Sequence, residues 1–136
     1  MAKSRKLLFT LATGLTVLML AGTALAAGYW YNYNLNVPGF GGTVVTANKS
    51  KVSYNNPRVS SQLVGGNYGM YVRMEFGASS YPVTNYGWIN DYYNITLPLT
   101  VSLPGLEPMH DRFKSAITQP VTVNVIGRWS PDNPAW

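Results

Sequence analysis

Along most of this chain apolar and polar residues alternate one for one, and that period fits a strand with one buried face and one wet face. The clearest case places Tyr68, Met70, Val72, Met74 and Phe76 on one side, against Gly69, Tyr71, Arg73 and Glu75 on the other. A first run sets Tyr29, Tyr31, Tyr33, Leu35 and Val37 opposite Trp30, Asn32, Asn34 and Asn36, and predicts the Tyr/Leu/Val side inward. Thr43 to Ala47, Val59 to Val64 and Val121, Val123, Val125 give further strands, and Ile95, Leu97, Leu99, Val101 and Leu103 another. Pro98 cannot donate to a ladder, so that last run is expected at a sheet edge or at a bend. Gly105 to Thr118 fits either a short helix opened by Pro108 or an extended segment, and extended structure is preferred. Pro38-Gly39-Phe40-Gly41-Gly42, Asn48-Lys49-Ser50, Asn55-Asn56-Pro57 and Gly65-Gly66-Asn67 punctuate the runs as turns. Seven or eight short strands without a convincing helical period predict one all-β domain, an antiparallel β-sandwich of Ig-like or jelly-roll-like type.

The first residues read differently. Lys3, Arg5 and Lys6 precede an apolar run from Leu7 to Leu20, and Ala24-Leu25-Ala26 offers small residues where a signal peptidase cuts. Residues 1–26 are therefore expected to be a secretory signal peptide helix, removed after Ala26, or after Ala24, leaving 27–136 as the β-sandwich domain. This leader resembles a Gram-positive bacterial export signal, which implies a secreted, extracellular protein of bacterial origin. An uncleaved anchor is the competing reading, but Thr10, Thr13 and Thr16 interrupt the run, and no stable membrane span is expected after cleavage. The chain has no Cys, so it carries neither disulfide nor lipid anchor and packing alone must stabilise it. Leu97-Pro98-Leu99-Thr100 overlaps a sortase-type motif but lacks its Gly and the tail that should follow.

Losing Lys3, Arg5 and Lys6 from the 10 basic residues leaves seven against five acidic ones, a net charge of +2. The densest basic groups are the pairs Lys49/Lys51 and Arg112/Lys114. A nucleic-acid surface needs more clustered charge, so nucleic acid is not expected as a partner.

Catalytic candidates are few. His110 is the single imidazole, and Glu75, Asp91, Glu107, Asp111 and Asp132 are the carboxylates. His110 and Asp111 are neighbours, which on a strand point to opposite faces, so a Ser-His-Asp set is disfavoured and a solvated loop histidine is expected. Glu107 and Asp111 would lie roughly 13 Å apart in extended structure and read as surface turn residues rather than a hydrolytic pair. No spacing matches a zinc or calcium site, and neither a metal nor another cofactor is expected. The Gly-rich segments precede strands rather than helix N-termini, and are expected to be hairpin turns, not phosphate cradles.

Aromatic residues accompanied by amides stand out: ten Tyr and four Trp, with Asn grouped among them. Core packing accounts for many, but an exposed ring beside directional Asn and Asp groups also suits a glycan or a protein partner. Trp30, Trp88, Tyr92, Tyr93 and Trp129, with Asn90 and Asp91 as polar neighbours, are the candidate ligand-binding residues. The expected function is non-enzymatic binding of a cell-surface glycan, an envelope component or a protein. Two alternatives follow from the same residues. Tyr29 to Asn36 is uncharged and β-prone, so edge-strand pairing between copies would build a homo-oligomer, fibre or surface layer. Small size, export and mild positive charge also fit a bacteriocin-like toxin.

Overall fold

Eight of the alternating segments pair into two four-stranded antiparallel sheets in the computed structural model, which describes residues 28–136. The expected signal peptide and its cleavage site lie outside the described residues. The strands are β1 (Tyr31–Val37), β2 (Thr43–Val45), β3 (Arg58–Val64), β4 (Met70–Phe76), β5 (Gly87–Ile89), β6 (Asn94–Thr96), β7 (Met109–Lys114) and β8 (Val123–Ser130). One sheet has the order β1-β8-β3-β6 and the other β2-β7-β4-β5. Among the described residues the only helical piece is a 3₁₀ turn at Gly65–Asn67. No helix among them is long and apolar enough to cross a membrane.

The inner faces meet in one core. Val37, Val59, Val125 and Trp129 from the first sheet pack with Met70, Val72, Ile89 and Phe113 from the second, and the Tyr33 ring lies 4.7 Å from that of Phe113. Each fully buried side chain of this size contributes about 1.5–3 kcal/mol, which is how a chain without disulfides holds together. A second cluster of Met74, Val83 and Met109 is covered by Phe76, Leu99, Val101 and Leu103.

The segment preferred as extended, Gly105 to Thr118, contains β7, because Met109 and Phe113 reach the core at strand spacing. The run from Ile95 to Leu103 is shorter as a strand than its alternation predicts. Only Asn94–Thr96 pairs with β3, at the sheet edge. Leu97 N–H still donates to Pro57 O at 2.9 Å, Pro98 has no N–H to give, and Thr100 N–H donates to Val83 O at 2.9 Å. The chain thus leaves one sheet for the other at the proline while its apolar side chains stay inward.

The Gly-rich segments are not hairpins. Pro38 to Gly42 carries the chain from β1 in one sheet to β2 in the other, and Gly65 to Gly69 does the same from β3 to β4. Apart from the β4–β5 connection, every link between consecutive strands changes sheets. Gly66 has φ of 67°, the left-handed conformation glycine adopts without a Cβ penalty.

The tail is clamped rather than loose. Asp132 accepts hydrogen bonds from Ser53 N (2.9 Å), Ser53 Oγ (2.8 Å) and Val52 N (3.1 Å), and its carboxylate lies 3.5 Å from Lys51 Nζ. Lys51 also donates to Pro131 O and, at 2.7 Å, to Asn55 O. Burial pulls the Lys51 pKa below its usual value, with Asp132 acting in the opposite direction.

Candidate functional site

Alternation on β4 sends Tyr71, Arg73 and Glu75 to the outer side of the second sheet, and antiparallel pairing decides what stands beside them. Tyr71 lies opposite Trp88 of β5 on one side and opposite Lys114 of β7 on the other. Lys114 in turn lies opposite Thr43 of β2. One step along, Arg73 faces Arg112, and beyond that Glu75 faces His110. Directly paired residues on one face have Cβ atoms close enough to touch, so four strands build a continuous surface from residues scattered over the chain.

The aromatic end of this surface is a triad. The Tyr71 ring is 4.7 Å from Trp88 at 66° and 6.1 Å from Tyr86 at 67°, both edge-on. The Arg73 guanidinium sits 4.5 Å above the Tyr86 ring and Lys114 Nζ 5.7 Å from it. Trp88 is 41% exposed although its indole rests on Gly69. A Cβ at Gly69 would lie 1.7 Å from Trp88 Cζ2, so only glycine leaves room for the ring there. The β7–β8 loop forms the opposite wall. Together Tyr71, Tyr86, Lys114 and Ser115 to Thr118 enclose a groove of about 440 Å³. Ile117 is an exposed apolar residue on its rim.

The other end is a buried polar relay. Glu75 accepts from Arg112 Nε at 2.8 and 2.9 Å on its two oxygens, and from Arg73 Nη2 at 2.7 Å. His110 Nε2 is 2.9 Å from Glu75 Oε1, and His110 Nδ1 is 2.9 Å from Asn48 Oδ1. Burial pushes the Glu75 carboxyl pKa up, but the bonds from His110, Arg73 and Arg112 outweigh it and hold the group below the usual value. His110 is 4% exposed. It is therefore not the solvated loop histidine expected: the cross-strand register puts it against Glu75, and Asn48 closes over it. Both ring nitrogens are engaged, leaving neither to draw a proton from a hydroxyl.

Asp111, its neighbour, points the other way and is likewise not a surface turn residue. It lies fully in the core, and its two carboxylate oxygens have no hydrogen-bond partner among the described residues. Burial, with Glu75 nearby, raises its pKa well above the usual carboxylate value. The Tyr33 hydroxyl and Ser61 Oγ are also buried without a partner.

The candidate ligand-binding residues end up in separate places. Trp88 is in the triad. Asn90 and Asp91 line a smaller recess of about 240 Å³ with Asn67 and Tyr68, where Asp91 Oδ1 accepts from Val64 N at 2.6 Å and so pins the chain end of β3. Tyr92 is 84% exposed at a φ of 53°, and Tyr93, also exposed, accepts from Ser61 N at 2.7 Å through its carbonyl. Trp30 lies just before β1 of the other sheet. Its Nε1 donates to Ala135 O at 2.8 Å, its ring is 5.5 Å from Trp136, and Arg128 lies over it at 4.4 Å. Trp129 does not reach the surface: it is 1% exposed, on the inward side of β8. The residues that sequence reasoning passed over as ligand-binding candidates are Tyr71, Tyr86 and Lys114 in the groove and Arg73 behind it. The outward positions of Tyr71 and Arg73 were readable from the β4 alternation, but the strand beside them was not.

Among the described residues no group of three or more His, Cys, Asp or Glu side chains is placed to hold a metal ion. The chain matches no family model, no curated protein and no solved structure with which it was compared.

Proposed function

We propose that this chain is a secreted bacterial protein of non-enzymatic interaction type, which binds a saccharide of a cell surface or envelope through Trp88, Tyr71 and Tyr86. The observation that carries the reading is the cross-strand row Trp88–Tyr71–Lys114 beside a 440 Å³ groove. Partly exposed rings offer flat apolar faces, and the neighbouring cation and hydroxyl groups supply directional bonds, which together suit a sugar ring. The strand order supports a jelly-roll reading of the sandwich, since all links but β4–β5 change sheets. The fold itself assigns no ligand, and the reading is supported by the groove and the rings beside it. The taking-up of both His110 nitrogens by Asn48 and Glu75 favours binding over hydrolysis.

Tryptophan fluorescence of the purified domain, titrated with peptidoglycan fragments and a panel of oligosaccharides, tests this. Trp88→Ala and Tyr71→Ala should each weaken binding by about tenfold or more, the usual scale of an aromatic anchor, while the thermal midpoint stays near that of the parent. A full panel without response, or binding untouched in both variants, refutes it.

One observation favours a second reading. β1, with its uncharged Tyr/Asn sequence, is an edge strand of its sheet. Edge pairing between copies would then build an oligomer or fibre. Sedimentation at rising concentration distinguishes the two, because self-assembly requires growth in size that an Asn34→Lys substitution on β1 prevents.

A further inference from the structure

The groove's electrostatics go one step past saccharide binding, and this inference rests on that reading. The outer face of the second sheet carries Arg73, Arg112 and Lys114 but a single carboxylate, Glu75. Glu75 is engaged by both arginines and by His110, so its one charge is already spent at the relay. Asp111, on the same strand as Lys114, points into the core. Lys114 makes no ion pair among the described residues and borders the groove directly, opposite Tyr71. Three cations against one acid leave this face at +2, equal to the whole excess of the seven basic over five acidic residues in 28–136. The remaining acids are placed elsewhere: Asp132 with Lys51, Asp91 at the end of β3, and Glu107 exposed in the segment before β7.

We infer that the groove takes an acidic polysaccharide, with a sugar ring against Tyr71 and Tyr86, its carboxylate on Lys114, and Trp88 extending the platform beyond Tyr71. The pattern of a stacking platform beside an unbalanced ammonium separates this from a neutral glycan, which would leave the charge unmatched. It also separates it from an acidic peptide, which would not need the flat rings.

The experiment compares charged and neutral versions of one sugar chain. Oligogalacturonate and hyaluronate fragments, each beside its methyl ester, are titrated into the domain by calorimetry and by amide NMR, with polyglutamate as the peptide control. For at least one pair the acid is expected to bind about tenfold more tightly than its ester, and to weaken several-fold as salt is raised. Lys114→Gln should bring acid and ester to nearly the same affinity, because it weakens the acid far more than the ester. Acid and ester binding alike overturns this inference and leaves the saccharide reading standing. Polyglutamate binding as tightly as the sugar acid overturns it in favour of a peptide partner. No binding by either member of either pair, with a neutral glycan bound at Trp88, overturns the acidic class alone; no binding by any saccharide removes both readings.

Discussion

Asp111 offers the sharpest test of the packing. Its carboxyl group lies wholly inside the sandwich, without a hydrogen-bond partner among the described residues. Burial therefore favours the protonated form and raises its pKa well above the usual value, and Glu75 adds to the effect. An unfolded Asp releases its proton near pH ~3.9. Between that pH and the folded pKa, the folded protein binds a proton that the unfolded chain has lost, so stability falls as pH rises. The contribution is fully present below the unfolded pKa and is lost as pH climbs through the folded one. Each proton of difference is worth about 1.4 kcal/mol per pH unit. For a domain of this size, 1 kcal/mol moves the midpoint by roughly 4–5 °C, which gives a slope of about 6 °C per pH unit. Asp111→Asn keeps the shape and removes the proton. Thermal melts of both chains, taken at steps of pH upward from the unfolded pKa, should show the variant gaining on the parent until the pH passes the folded pKa, and the comparison cancels every titration the two share. Parallel melts across that range would mean that Asp111 titrates alike in both states, and the account of an unpartnered core acid would fail.

Three further outcomes follow from named contacts. Glu75→Gln leaves Arg73, Arg112 and His110 without their shared charge and should cost about 3 kcal/mol near neutral pH, measured by urea unfolding. Because the folded Glu75 pKa is depressed, its stabilisation is present above the usual carboxylate value and is lost as pH falls through the folded pKa, so parent and variant should converge in acid. Asp132→Ala strands the buried Lys51 charge and should cost about 3–5 kcal/mol, with earlier proteolysis of the tail as a second readout. Gly69→Ala places a methyl on the Trp88 ring, so near-UV circular dichroism should change and saccharide affinity should fall while the core, and hence the melt, changes little.

The strand pattern carried more of the fold than of the site. Where alternation ran unbroken, as in β4, it placed Met70, Val72 and Met74 inside and Tyr71 and Arg73 outside, and the structure agrees. Two residues were misplaced because residue type outweighed period. Continuing Val121, Val123 and Val125 by two steps reaches Gly127 and Trp129, which puts the indole in the core rather than on the surface. Likewise Met109 and Phe113 bracket Asp111 at strand spacing, yet an aspartate reads as a surface residue until its neighbours are seen. The groove was illegible for a different reason. Tyr71 meets Lys114 only because β7 pairs with β4, and a contact between residues 43 positions apart (114 less 71) depends on register rather than on local pattern. His110 fails for the same cause, since Glu75 is its cross-strand partner and 35 residues away.

Glu75 and Asp111 show how the two faces of one sheet divide their work. Both are excluded from water, on paired strands, and they are driven in opposite directions. On the outer side three donors keep Glu75 ionised, and that charge fixes Arg73 in place over the Tyr86 ring. Tyr86 in turn packs edge-on against Tyr71, so the relay reaches the groove through a guanidinium and two rings. If the triad binds a ligand as proposed, a platform held this way would lose little freedom on binding and so cost little affinity. On the inner side Asp111 has nothing comparable to hold it, and its burial is a cost that the surrounding apolar contacts must offset. The polar investment of this sheet is thus concentrated behind the aromatic triad, as expected if the triad, rather than the core, is what the fold is arranged to present.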